Sequence, residues 1–159
     1  MDFKRIIDDK DYKILEILQE KARIPNAEVS RQIGMAPSAV LERIRKLEER
    51  GIIEGYEVRL NPQPFQQGLM AFVQVSVQSP CHSQLAEALS RVTGVQDVHQ
   101  VAGDDGYLLK LRVADNAELG RVIADEICPL AGVQQTRTSI VLNTVKETRK
   151  IDLSRFQHS

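Results

Sequence analysis

Five polar residues in one short stretch, Ser38, Glu42, Arg43, Arg45 and Lys46, carry functional groups suited to reading double-stranded DNA. A hydroxyl can donate or accept at a base edge, a carboxylate accepts from a cytosine amino group, and cationic groups donate to guanine or phosphate. In a helix laid into the major groove, the early residues reach the bases. Ser38 and Ala39 would then lie at base edges and Glu42 would take a cytosine amino group. Arg43 or Lys46 would meet guanine or phosphate, and Arg45 would hold phosphate. The helical phase agrees with this. Val40, Ile44 and Leu47 recur at i, i+4 and i+7 as one apolar stripe. At about 100° per residue, Ser38, Glu42, Arg45 and Glu49 point the opposite way, with Lys46 nearby and Arg43 at the border of the stripe. The same spacing makes Glu42–Lys46 an ordinary i, i+4 pair on a solvated face, a reading the stripe alone leaves open.

The other reactive side chains form no comparable set. Cys81 and Cys128 are far apart, without metal or redox spacing, and read as packing thiols in a reducing compartment. His82, His99 and His158 are too scattered for a local zinc site. Asp104 and Asp105, bounded by Gly103 and Gly106, have the composition of a solvated turn. No nucleophile–base–acid constellation stands out, so no catalysis, metal or cofactor is expected. A net charge of -1 argues against coating nucleic acid by bulk positive charge, and 4% aromatics without Trp argue against a stacking platform. With 42% hydrophobic and 27% charged residues, the chain reads as an ordinary soluble globular protein. No apolar run approaches the ~18 residues of a membrane span. Residues 1–5 precede no apolar signal core, so a cytoplasmic location without a membrane partner is expected.

Three helices must position the reading set. Asp8 reads as an N-cap, with Ile7 and Tyr12 as a hydrophobic staple, acids in the first turn, and Ile14, Leu15 and Leu18 at helical spacing. A second helix is expected from about Asn26 to Ile33, ended by Gly34. The third starts with Pro37 and runs to Arg50 before Gly51. Residues 52–60 alternate partly around Gly55, as a β-hairpin wing or a strand leading away. The fold expected for residues 1–60 is therefore a winged helix-turn-helix. Asn61-Pro62-Gln63-Pro64 opens a linker over 61–68. Strands follow over 69–77, 95–101, 107–113 and 133–142, with helices over 84–92 and 116–127. This β-α-β-β-α-β order is a ferredoxin-like α+β domain, 69–153, followed by a tail, 154–159. Such a sheet leaves one face free for a second subunit. Residues 1–60 balance twelve basic against twelve acidic side chains. Affinity for DNA must then come from a dimer engaging two half-sites.

From about Ile7 to Leu153 the chain resembles the leucine-responsive regulator/asparagine regulator (Lrp/AsnC) family of transcriptional regulators. The resemblance is carried by Ile7-Asp8-Asp9-Lys10-Asp11 with Ile14-Leu15, by residues 37–48, by Gly51-Ile52-Ile53-Glu54-Gly55-Tyr56, and by residues 132–142 with Lys146. It implies sequence-specific DNA binding and a C-terminal domain that dimerises through its sheet. It also implies assembly of dimers into tetramers, octamers or larger forms, and a small-molecule effector, an amino acid or related metabolite. The effector site implied is the loop Gly103, Asp104, Asp105, Gly106, Tyr107 together with Thr136 and Thr138. The family loop usually reads Gly-acid-aromatic-Asp-aromatic, so Asp105 replaces the aromatic, and Gly106 replaces the Asp that helps hold the effector's amino group. Ala36 and Pro25 stand where family members often have Ser caps. Two alternatives stand beside the sensor. One is an architectural DNA-binding protein without an effector. The other is a tetrapyrrole decarboxylase of similar architecture, for which His99 and Arg112 are the candidate residues.

Overall fold

A computed structural model describes residues 7–78, 83–103 and 106–154 of the chain. They fall into two units, residues 7–59 with residues 147–154, and Leu60–Lys146.

The first unit is built on α1 (Asp9–Glu20), α2 (Asn26–Ile33) and α3 (Pro37–Glu49). The Asp8 carboxylate accepts from the main-chain N–H of Lys10 and Asp11, both at 2.9 Å, and the Asp11 carboxylate accepts from Asp8 N–H at 3.2 Å. This reciprocal cap satisfies donors that an open helix end would leave orphaned. Lys10 Nζ donates to the Ile33 carbonyl at 2.8 Å, tying the start of α1 to the end of α2. Neither Pro25 nor Ala36 supplies a side-chain cap to α2 or α3. The end of α3 is closed by main chain alone: Gly51 N–H donates to Glu48 O and Ile52 N–H to Leu47 O, both at 2.9 Å. That paired closure requires the left-handed φ of 67° that Gly51 adopts. Ile14, Val29, Ile33, Val40, Ile44 and Leu47 meet in the core between the helices.

No strand is assigned over residues 51–60, so the hairpin form of the wing is not present among the described residues. Tyr56, Val58 and Leu60 are exposed there. Residues 147–154 group with the helices of the first unit. Gln19 grips the Ile151 main chain at two points, Nε2 donating to the carbonyl at 3.1 Å and Oε1 accepting from the N–H at 2.7 Å. Lys150 pairs with Glu20 at 2.7 Å and Arg149 with Glu57 at 2.6 Å. A polar segment lacking periodicity gives no pattern from which such docking can be read.

The second unit contains β1 (Leu69–Val77), α4 (Ser83–Ser90), β2 (Val95–Gln100), β3 (Tyr107–Val113), α5 (Asn116–Arg121) and β4 (Val133–Ile140). Its antiparallel sheet has the order β2-β3-β1-β4, as expected for the ferredoxin-like pattern. Ala71, Val73 and Val75 of β1 and Tyr107, Leu109, Leu111 and Val113 of β3 share one face with Leu85 and Leu89 of α4 and Leu119 of α5. The expected single helix over 116–127 changes winding midway and continues as a π-helix, Val122–Ile127. Its i→i+5 bonding brings residues five apart closer to one face than α winding does, and both Val122 and Ile127 are buried. The alternate residues Phe72, Gln74, Leu108, Lys110, Arg112 and Arg137 line the opposite face of the sheet.

Candidate functional site

Packing divides α3 as its sequence period requires. Val40, Ile44 and Leu47 are buried, while Ser38, Arg45 and Lys46 are exposed and Ala39 and Glu42 are half-buried. The outward charges pair with one another. Arg45 Nη2 donates to Glu42 Oε1 at 3.2 Å, Arg45 Nη1 lies 3.3 Å from Glu49 Oε1, and Lys46 Nζ lies 3.5 Å from Glu42 Oε1. The hydrogen bond from Arg45, helped by its charge and that of Lys46, holds the Glu42 carboxyl below its ordinary range. These solvent-exposed pairs contribute little to stability, so the cations can exchange one partner for another at small cost.

Arg43 is held differently from these outward cations. Its Nη1 donates to Asp8 Oδ2 and to Asp11 Oδ1, both at 2.7 Å. Asp11 is 7% exposed. Arg43 thus clamps α3 onto the capping box of α1. The same contacts act on Asp8: partial burial opposes its ionisation, but the Asp11 N–H and the Arg43 guanidinium outweigh that and lower its pKa. The available signal was the position of Arg43 at the stripe border, where a cation half-turned into the core needs a buried partner.

Tyr56, in the stretch after α3, meets that helix. Its hydroxyl donates to Glu48 Oε1 at 2.8 Å, fastening the chain after α3 back onto that helix. Burial, followed by the Glu48 contact, pushes the phenol up to about 12. The groove beside it, about 530 Å³ and lined by Leu18, Ile24, Leu41 and Arg45, is open to solvent.

In the second unit the effector set is partly assembled. Thr136 and Tyr107 are both paired with Val75, so the three form one row across β4, β1 and β3 on the helix-bearing face. Thr138 lies two pairs further along, beside Val73. Thr136 Oγ1 and Cys128 Sγ are 4.0 Å apart. Tyr107 belongs to the core and is 2% exposed, because strand alternation turns it inward with Leu109 and Leu111. Gly103 is exposed, and Asp104 and Asp105 lie outside the described residues. Gly106 adopts φ 67°, and a Cβ there would lie 2.8 Å from Val77 Cγ2 and 3.2 Å from the Val75 carbonyl. Gly106 therefore adopts a backbone conformation that excludes most side chains. Among the described residues no group of three His, Cys, Asp or Glu could hold a metal, and no helix is long and apolar enough to cross a membrane.

Known proteins match both units in register. The winged helix-turn-helix DNA-binding family matches residues 7–54, and the Lrp/AsnC ligand binding domain matches residues 70–151. The leucine-responsive regulatory protein of Klebsiella pneumoniae is 35% identical over 148 residues, covering 91% of this chain and 90% of that protein. Among solved structures, a transcriptional regulator–L-Met complex from Neisseria meningitidis matches at a TM-score of 0.87 and 30% identity, covering 94% of this chain and 98% of the other. The feast or famine regulatory protein of M. tuberculosis, complexed with L-methionine, matches at 0.83 and 32%, covering 91% and 97%.

Proposed function

The chain belongs to the Lrp/AsnC family of DNA-binding transcriptional regulators that respond to amino acids, and from that premise we propose how its own residues do so. The reading helix is α3. The observation that carries this is its division into a buried stripe and an outward face holding Ser38, Ala39, Glu42, Arg45 and Lys46. Ser38 and Ala39 meet base edges near the helix start, while Arg45 and Lys46 take phosphate or guanine. Arg43 stays in its clamp and acts by positioning the helix.

The bare sheet face makes the dimer. The helices cover one face, and Phe72, 37% exposed, lies on the other, on the same face as Leu108. A second copy docked there supplies the second reading helix that a charge-balanced first unit needs. Dimers then assemble further, as the resemblance implies, in the cytoplasm.

The effector is an amino acid bound through the loop from Gly103 to Tyr107 and the strand carrying Thr136 and Thr138. Two relatives of known structure hold L-methionine. Here Thr136 and Thr138 offer hydroxyls, Gly106 offers main chain only, and Tyr107 supports the site from the core. No catalytic role is assigned. His99 stands opposite Leu108, four residues, about 13 Å, along β3 from Arg112.

A thermal-shift series with the standard amino acids tests the sensor. A ligand at 100 times its Kd stabilises by about 2.7 kcal/mol. Unfolding should then rise by about 5–10 °C with L-methionine or a similarly apolar amino acid. If no amino acid shifts the transition while duplex binding is intact, the effector-insensitive architectural reading replaces this one.

A further inference from the structure

We propose that Glu42 is a specificity-determining residue that holds back the cations of α3 from DNA lacking a base amino group in reach of its carboxylate. The inference rests on α3 being the reading helix and goes beyond it by assigning a discriminating task to one acidic group.

Three basic residues lie within α3, and none presents an unopposed charge. Arg43 is held by Asp8 and Asp11. Arg45 and Lys46 both approach the same oxygen, Glu42 Oε1, at 3.2 and 3.5 Å, and Arg45 also pairs with Glu49. The helix carries three acids, Glu42, Glu48 and Glu49, against these three bases, so its net charge is zero. Glu48 is occupied by Tyr56 and Glu49 lies two turns beyond Glu42, which leaves Glu42 as the acid nearest the expected base-reading end.

Charge of this kind discriminates. A phosphate approaching Arg45 or Lys46 also approaches Glu42, and the repulsion offsets much of the attraction. At a base edge that offers only acceptors, such as guanine O6 and N7, the carboxylate would lose water and gain no donor. At a cytosine or adenine amino group it gains a hydrogen bond, and Arg45 and Lys46 are released to neighbouring phosphates. Affinity for arbitrary duplex is thereby sacrificed for contrast between sequences.

The test compares the full-length wild type, Glu42→Gln and Arg45→Ala/Lys46→Ala by fluorescence anisotropy. One probe is a random-sequence duplex of roughly 30 bp, long enough for two half-sites one helical turn apart. The other is a duplex of the same length selected by the wild type from that random pool. Circular dichroism confirms that each variant is folded. Glu42→Gln should bind the random duplex about 3- to 10-fold more tightly at low salt, with the slope of log K against log salt steeper by about one per reading helix engaged. Its preference for the selected duplex over the random one should fall by a similar factor. If Glu42→Gln binds the random duplex no better than the wild type, while the double variant binds it more weakly, the discriminating task is refuted and α3 remains the reading helix. If the double variant binds the random duplex as well as the wild type, both the task and the assignment of α3 are wrong.

Discussion

Replacing Arg45 and Lys46 together with Ala will weaken binding to a selected duplex by about 10²- to 10³-fold at moderate salt while leaving the protein folded and assembled. A dimer loses four cations, and at about 1 kcal/mol for each phosphate or base contact the sum reaches this range. The fold should not suffer. Both side chains are more than half exposed, and they form ion pairs with Glu42 and Glu49 on their own helix. Surface changes of this kind cost within about 0.5 kcal/mol. Arg43 is deliberately kept, because its removal would strand Asp8 and Asp11 at the α1 cap and confound unfolding with lost contacts. Titrations of both proteins at several salt concentrations decide the matter. A change of less than about threefold would move the DNA contacts off this helix.

Phe72→Asp carries the second large effect. Phe72 is the large apolar side chain at the centre of the uncovered sheet face, paired across β1 to Lys110 on one side and Ser139 on the other. A carboxylate in the middle of a docked interface loses the aromatic contact and must be desolvated, at a cost of about 2–4 kcal/mol. The dimer dissociation constant should rise by 30- to 1000-fold, the same energy expressed as a ratio. Sedimentation at micromolar concentration should then show monomer, and affinity for the selected duplex should drop by about 10²-fold or more as the second reading helix is lost. The free monomer keeps its fold, because residue 72 faces away from the core built on Val73 and Val75. An unchanged mass would place the interface elsewhere on the chain.

The parts that were legible in the sequence are those governed by short-range rules. Two of the four strands, 69–77 and 107–113, have the bounds expected from their apolar patterning. The Asp8 cap, the Gly34 stop and the Pro37 start follow local backbone chemistry. Other features depend on partners distant in the chain. Arg43 meets Asp8 and Asp11, more than thirty residues earlier. Residues 147–154 meet Gln19 and Glu20, which no local pattern announces. The burial of Tyr107 follows from its parity within β3. The π-helix, with both Val122 and Ile127 buried, departs from the α period that a sequence pattern assumes.

The most direct measurement is selection of duplexes from a fully randomised pool by the purified wild-type protein, sequenced over successive rounds. The expected result is enrichment of a two-fold symmetric site, with half-sites about one helical turn apart, that Arg45→Ala/Lys46→Ala fails to enrich. A pool that stays random through all rounds, despite a folded and assembled protein, would contradict sequence-specific reading by α3.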